Sequence, residues 1–248
     1  MLPALLCALL GPANAHKPSF SGEYDAPERA FAVSDPDISI VVYQEITCEL
    51  DQLWLGWEGA AGDEAYIQLG VPVIERLEDY VPSVALLAPG LPASDEPLPF
   101  AVPDGLGAAV FHGEDADAPA LFHEEFTQTD SWIWVEETLT LPADGPVYLV
   151  AWHPGGQTGK LWLATGTIED FSDVAVSEFI EWSEAVHDFH ETGRYDRVEP
   201  VTEEVCLDEA PADGEAPADK SGCATAPLSG GLALALAGLW ARRRQQPV

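Results

Sequence analysis

The chain has 248 residues, of which 43 are Asp or Glu and 10 are Lys or Arg, giving a formal net charge of −33. A surface this acidic repels phosphate backbones, which excludes nucleic acid as a partner. Hydrophobic residues make up 47% and include eight Trp, so the chain has the apolar surface to bury a core and is not disordered throughout.

The N-terminus opens with the apolar run 2–10, a Gly11-Pro12 break and Ala13-Asn14-Ala15. That order predicts a secretory signal over residues 1–15, cleaved after Ala15, with His16 first in the mature chain. Residues 16–30 are extended and punctuated by Pro18 and Pro27. Apolar, β-branched or aromatic runs then recur at 38–43, 53–57, 65–69, 71–74, 83–87, 108–111, 132–141, 147–152 and 160–164, each bounded by turn residues. The Gly-rich stretch 153–159 reads as a hairpin loop. Strand after strand without a helical period between them predicts an all-β fold, an antiparallel β-sandwich over residues 16–168, rather than a parallel α/β sheet.

From Phe171 the apolar period lengthens. Val176, Phe179, Ile180, Trp182, Val186 and Phe189 fit one amphipathic helix over about 173–191, inside a segment 169–196 packed on the sandwich. Ser172 and Asp173 are its candidate N-caps and Gly193 its candidate stop. Residues 197–222 are acidic and rich in Ala and Pro, and Glu209–Asp213 is nearly repeated as Glu215–Asp219. Like charges repel there and prolines stiffen the chain, so a disordered, solvated stalk is expected. Residues 223–248 hold Cys223, an apolar run over 228–240 and then Arg242, Arg243 and Arg244. The run is shorter than the roughly 20 residues of a free-standing membrane span, and arginines after it would stay cytoplasmic.

A Cys among small residues, a short hydrophobic helix and a terminal Arg cluster together resemble the MYXO-CTERM sorting signal of surface proteins. The resemblance implies recognition by a rhomboid-like sorting protease, loss of the helix and Arg cluster, and lipid attachment at Cys223. It also implies an anchored product at the outer membrane. Gly145, Tyr148-Leu149-Val150 and Trp162–Gly166 are similar to the closing hairpin of pre-peptidase C-terminal and jelly-roll-like modules of secreted bacterial proteins. Residues 38–42, 69–72 and 86–92 resemble uncharacterised exported domains. These likenesses imply a jelly-roll-like sandwich and no activity.

Of the four cysteines, Cys7 leaves with the signal. With Cys223 lipidated, Cys48 and Cys206 are left to form one disulfide in an oxidising compartment. Two free thiols and a Cys206–Cys223 pair are the alternatives. There is no CxxC, so neither a zinc ribbon nor a thioredoxin-like site is supported.

Three kinds of chemistry merit weighing against blander roles. A mature N-terminal His16 offers an amine and an imidazole, and His187 and His190 lie three apart on the helix, where both can face one side. With carboxylates from Glu184 and Glu191 the set suits copper or another imidazole-preferring metal, against a bland reading as surface histidines. The acidic turns at 35–37 and 114–117 offer oxygen ligands for calcium without EF-hand spacing, against a solvated acidic face. Trp54, Trp57, Trp132, Trp134, Trp152 and Trp162 in strands offer a stacking row for sugars, against a Trp-rich core. No nucleophile motif of the G-x-S-x-G kind is present. The leading expectation is a non-enzymatic, exported and surface-anchored domain with a binding or structural role, its partner a cell-surface polysaccharide or protein. A copper protein and a carbohydrate-binding module are the alternatives.

Overall fold

Eleven strands, three short 3-10 turns and one α-helix make up the regular structure of residues 16–20, 22–195 and 206, the residues that the computed structural model describes. Numbered in chain order, the strands form two sheets. The six-stranded sheet runs β1 (Lys17–Phe20), β3 (Ile40–Ile46), β11 (Gly159–Thr165), β5 (Glu64–Pro72), β9 (Thr129–Thr140), β8 (Ala120–Glu124). The five-stranded sheet runs β2 (Phe31–Ala32), β4 (Gln52–Gly59), β10 (Gly145–Trp152), β6 (Ser83–Ala88), β7 (Gly107–His112). Both sheets are mixed, where an antiparallel arrangement was expected. The short edge strands β1 and β2 pair in parallel with β3 and β4. A parallel pair needs a long crossover, and the segments leading from β1 to β3 and from β2 to β4 supply it.

One core cluster draws on both sheets. Val42 and Ile46 of β3, Ile67, Leu69 and Val71 of β5, and Leu161 and Leu163 of β11 meet Leu53 and Leu55 of β4, Val84 and Leu86 of β6, and Val147 and Leu149 of β10. Many of the alternate residues of these strands are apolar as well. Val41, Tyr43, Trp162, Ala164 and Ile133 cluster on the far face of the six-stranded sheet. Trp54, Val150 and Trp152 do so on the far face of the five-stranded sheet, under Leu98, Phe100 and Val102 of the loop before β7. Strands that read as continuous apolar runs are covered on both faces.

Two sequence expectations change here. The stretch 153–158 does not close a hairpin, because β10 pairs with β4 and β6 whereas β11 pairs with β3 and β5. Each strand is apolar on both faces, so each needs a neighbour on either side, and the loop crosses from one sheet to the other. The runs 65–69 and 71–74 are one strand as far as Pro72, not two. Gly70 lies in its middle because a Cβ there would meet the indole of Trp162 at 2.2 Å. Opposite it, the register steps from Leu69–Val135 to Gly70–Ile133, leaving Trp134 as an extra residue in β9. Such a bulge shifts the alternation by one. It lets Val135 face the shared core while Ile133 and Ser131 face outward.

The helix α1 spans Val176–Phe189. Neither expected cap starts it: Asp173 pairs with Lys17 at 2.5 Å, and the Glu178 carboxylate accepts instead from the amide of Ala175 at 2.7 Å. The left-handed residue just past the C-cap His190 is Glu191, φ 52°, and not the expected Gly193, which lies two residues further on. Phe179, Trp182, Val186 and Phe189 turn toward the six-stranded sheet, while Val176 and Ile180 stay exposed. Cys48 and Cys206 form a disulfide with their Cα atoms 5.3 Å apart. Among the described residues no helix is long and apolar enough to cross a membrane. The predicted signal with Ala15, the stalk apart from Cys206, and the tail with Cys223 lie outside the described residues.

Candidate binding cavity

A cavity of about 170 Å³ lies between the far face of the six-stranded sheet and α1. Its floor comes from alternate residues of four strands of this sheet: Val41 and Tyr43 of β3, Trp162 of β11, Thr129 and Ser131 of β9, and Phe122 of β8. Its roof is Phe179, Trp182 and Val186 of α1 with His190 just beyond, and Phe171 closes one end. The β8–β9 turn carries Phe126 and Thr127 to the wall. That turn is shaped by Glu124, whose carboxylate accepts from the amides of Phe126 and Thr127 and from the Thr127 hydroxyl. Gln128 completes it in the left-handed region, φ 58°, donating its amide to the Glu124 carbonyl at 2.8 Å.

Several polar groups of the lining are engaged with protein partners. Trp162 Nε1–H donates to Ser131 Oγ at 3.0 Å, and Ser131 Oγ lies 3.1 Å from His190 Nε2. His190 Nδ1 lies 2.9 Å from the Val186 carbonyl. A neutral ring that donates from Nδ1 and accepts at Nε2 satisfies all three contacts. Burial pushes its pKa down to about 4, partly opposed by the Val186 bond. His16 is held between Ser39 Oγ at Nδ1 and Gln68 Oε1, 3.2 Å from Nε2. Burial holds its pKa below the usual histidine value, with Gln68 and the carboxylates of Glu124, Glu169 and Glu136 pulling the other way. Both rings are therefore neutral at pH 7.

The structure brings two of the three predicted metal histidines to one cavity. The third, His187, faces away, with Thr192 Oγ1 3.0 Å from Nδ1 and Arg194 donating to Nε2 at 3.0 Å. His190 is not on the helix but is its C-cap residue, so the three-residue spacing no longer sets a common face. Glu191 pairs with Arg76 and Lys160. Among the described residues no group of three His, Cys, Asp or Glu side chains is gathered to hold a metal ion. That covers the copper set and the acidic turns, where Asp35 instead accepts from the amide of Asp37. Trp54, Trp57, Trp152 and Trp162 are buried, and Trp132 and Trp134 are half-buried against the core. Their rings pack on protein and form no open stacking row.

Sequence reading missed the cavity because it rests on the far face of the sheet. Its signal was present in the unbroken apolar runs of β3 and β11 and in Phe179, Trp182 and Val186 at helical spacing. Phe122 and Phe126 sit in a short strand and turn with no periodicity to mark them.

Two substitutions probe the site. Gly70→Ala should displace the Trp162 ring and cost about 1–3 kcal/mol, as overpacking does, with a change in near-UV circular dichroism. An unchanged spectrum and stability would place the ring elsewhere. For His190, the folded pKa lies below the ordinary 6.5, so between those values the unfolded chain binds a proton that the folded chain does not. The stability from a neutral ring is complete above pH 6.5 and is lost as pH falls through about 4. The stability difference between wild type and His190→Gln should therefore decline by about 2–3 kcal/mol from pH 7 to pH 4.5, measured by urea unfolding. A difference independent of pH would contradict a buried neutral histidine.

No family model matches the chain, and no curated protein is significantly similar to it.

Proposed function

We propose that the chain is an exported, surface-anchored binding domain: a jelly-roll-like β-sandwich whose small ligand lodges under α1. The observation that carries the binding reading is the cavity. Apolar sites of this kind, with a few fixed polar groups, are where proteins take small molecules. An apolar cavity of about 150 Å³ is already enough for benzene. Connections that pass between sheets and a core shared by both support the jelly-roll-like sandwich. No catalytic role is proposed.

Export and anchoring rest on the sequence at the two ends. In this reading the signal is removed after Ala15, a sorting protease acts at the tail, and Cys223 takes the lipid that holds the stalk and domain at the outer membrane. The intact mass of the product isolated from its own cells tests this. A chain starting at His16 and ending near Cys223 with a lipid supports it. Cys223→Ala should retain the tail arginines and release the domain from the surface; normal anchoring of that variant would overturn the sorting reading.

A further inference from the structure

We propose that the cavity under α1 selects a small organic cation without N–H donors, a quaternary ammonium group, which its aromatic rings enclose beside Glu124. This rests on the cavity being a ligand site and names the ligand's chemistry.

Three observations converge. The first is the ring geometry. Phe179 meets Phe126 edge-on at 5.3 Å, Trp182 edge-on at 5.5 Å and Phe171 tilted at 5.7 Å. Across the cavity Trp162 supplies a further indole. The rings of Phe126, Phe171, Phe179 and Trp182 all border the cavity, so aromatic surface walls it on this side, the kind of lining that attracts cations. The second is charge. Among the described residues, Glu124 is the one charged side chain in the lining. His16 and His190 are neutral, and the nearby ammonium groups of Lys17 and Lys160 are paired with Asp173 and Glu191. A carboxylate ligand would meet this negative field unaided, whereas a cation is drawn to it. The third is hydrogen bonding. Glu124 already accepts three bonds, and the Ser131, Thr127 and Trp162 polar atoms are taken. Among the described residues the Tyr43 hydroxyl is the lining oxygen left without a bond, so a primary ammonium would enter with three donors and find too few acceptors to replace its hydration. A quaternary ammonium has no donors to leave unmet, and its methyl groups suit an aromatic wall.

The test is calorimetric titration of the purified protein with choline, with its neutral isostere 3,3-dimethylbutan-1-ol, and with 3,3-dimethylbutanoate. Choline should bind about tenfold or more tightly than the alcohol, and the carboxylate should not bind. Glu124→Gln should weaken choline about tenfold more than it weakens the alcohol, since both Glu124 oxygens hold the turn and any loosening of it acts on the two probes alike. Phe126→Leu, at the exposed edge of the cavity, should weaken choline without unfolding the protein, so the inference does not depend on one variant. If the alcohol binds as well as choline, charge selection is overturned while the cavity stands as a ligand site. If none of the three binds, both readings are overturned.

Discussion

Replacing Cys206 with serine should lower the unfolding free energy by up to about 5 kcal/mol in the chain-entropy treatment. The disulfide closes a span of 158 residues between Cys48 and Cys206, so its loss frees nearly the whole domain in the unfolded state. It also frees the native contact beside it, where the Cys206 amide donates to the Gly156 carbonyl at 3.0 Å. Gly156 sits in the crossover from β10 to β11, at φ 65°, so the bridge bears on the segment that joins the two sheets. Cys48→Ser should have the same effect, because either change opens the same loop. Urea unfolding should show a lower midpoint and a steeper dependence on denaturant, since a chain without the cross-link exposes more surface. Equal unfolding of the wild type before and after reduction would contradict the bridge.

The second large effect is expected at the junction between α1 and the sheet. Lys160 of β11 is 7% exposed, and its ammonium lies 3.1 Å from the Phe189 carbonyl at the end of α1 and 2.8 Å from Glu191. A cation at the C-terminus of a helix also opposes its dipole. Burial alone would raise the Glu191 pKa, but the bonds from Lys160 and Arg76 bring it below the usual carboxylate value. Lys160→Met keeps the stem and deletes the charge, leaving Glu191 with Arg76 alone. Breaking a buried pair from one side is costly, and with one partner left the loss should be about 2–4 kcal/mol. Hydrogen exchange should show α1 deprotected before the strands. Adding Glu191→Gln should deepen the loss rather than recover it, since Arg76 then loses its ion-pair partner as well. A Lys160→Met protein with wild-type stability and an intact helix would contradict the anchoring role.

These expectations show where the sequence was legible. Nearly every inner strand was visible as an apolar run, because burial on two faces leaves an uninterrupted signature. The edge strands β1, β2 and β8 were not: β1 carries Pro18 in four residues, β2 has only two residues, and β8 leaves Leu121 exposed. The pairing of β1 and β2 is decided by strands further along the chain, whereas β8 pairs with β9, the next strand. The disulfide was legible by counting, once the cysteines at the two ends were assigned elsewhere. The three histidines are not brought to one place, for a local reason. Helical spacing places residues on a common face only while the helix lasts, and His190 is its C-cap, outside the last turn that contains His187. The cavity needed knowledge of what covers the far face of the sheet, which alternation within single strands does not carry.

The most direct test of the cavity as a ligand site is a titration followed by NMR at the tryptophan indole N–H signals, with choline and 3,3-dimethylbutan-1-ol as probes. A ligand under α1 should give saturable shifts at Trp162 and Trp182 with either or both probes, and leave Trp54 and Trp152 on the opposite sheet unmoved. Unshifted Trp162 and Trp182 signals at millimolar concentrations of both probes, or equal small shifts at all the indoles, would contradict it.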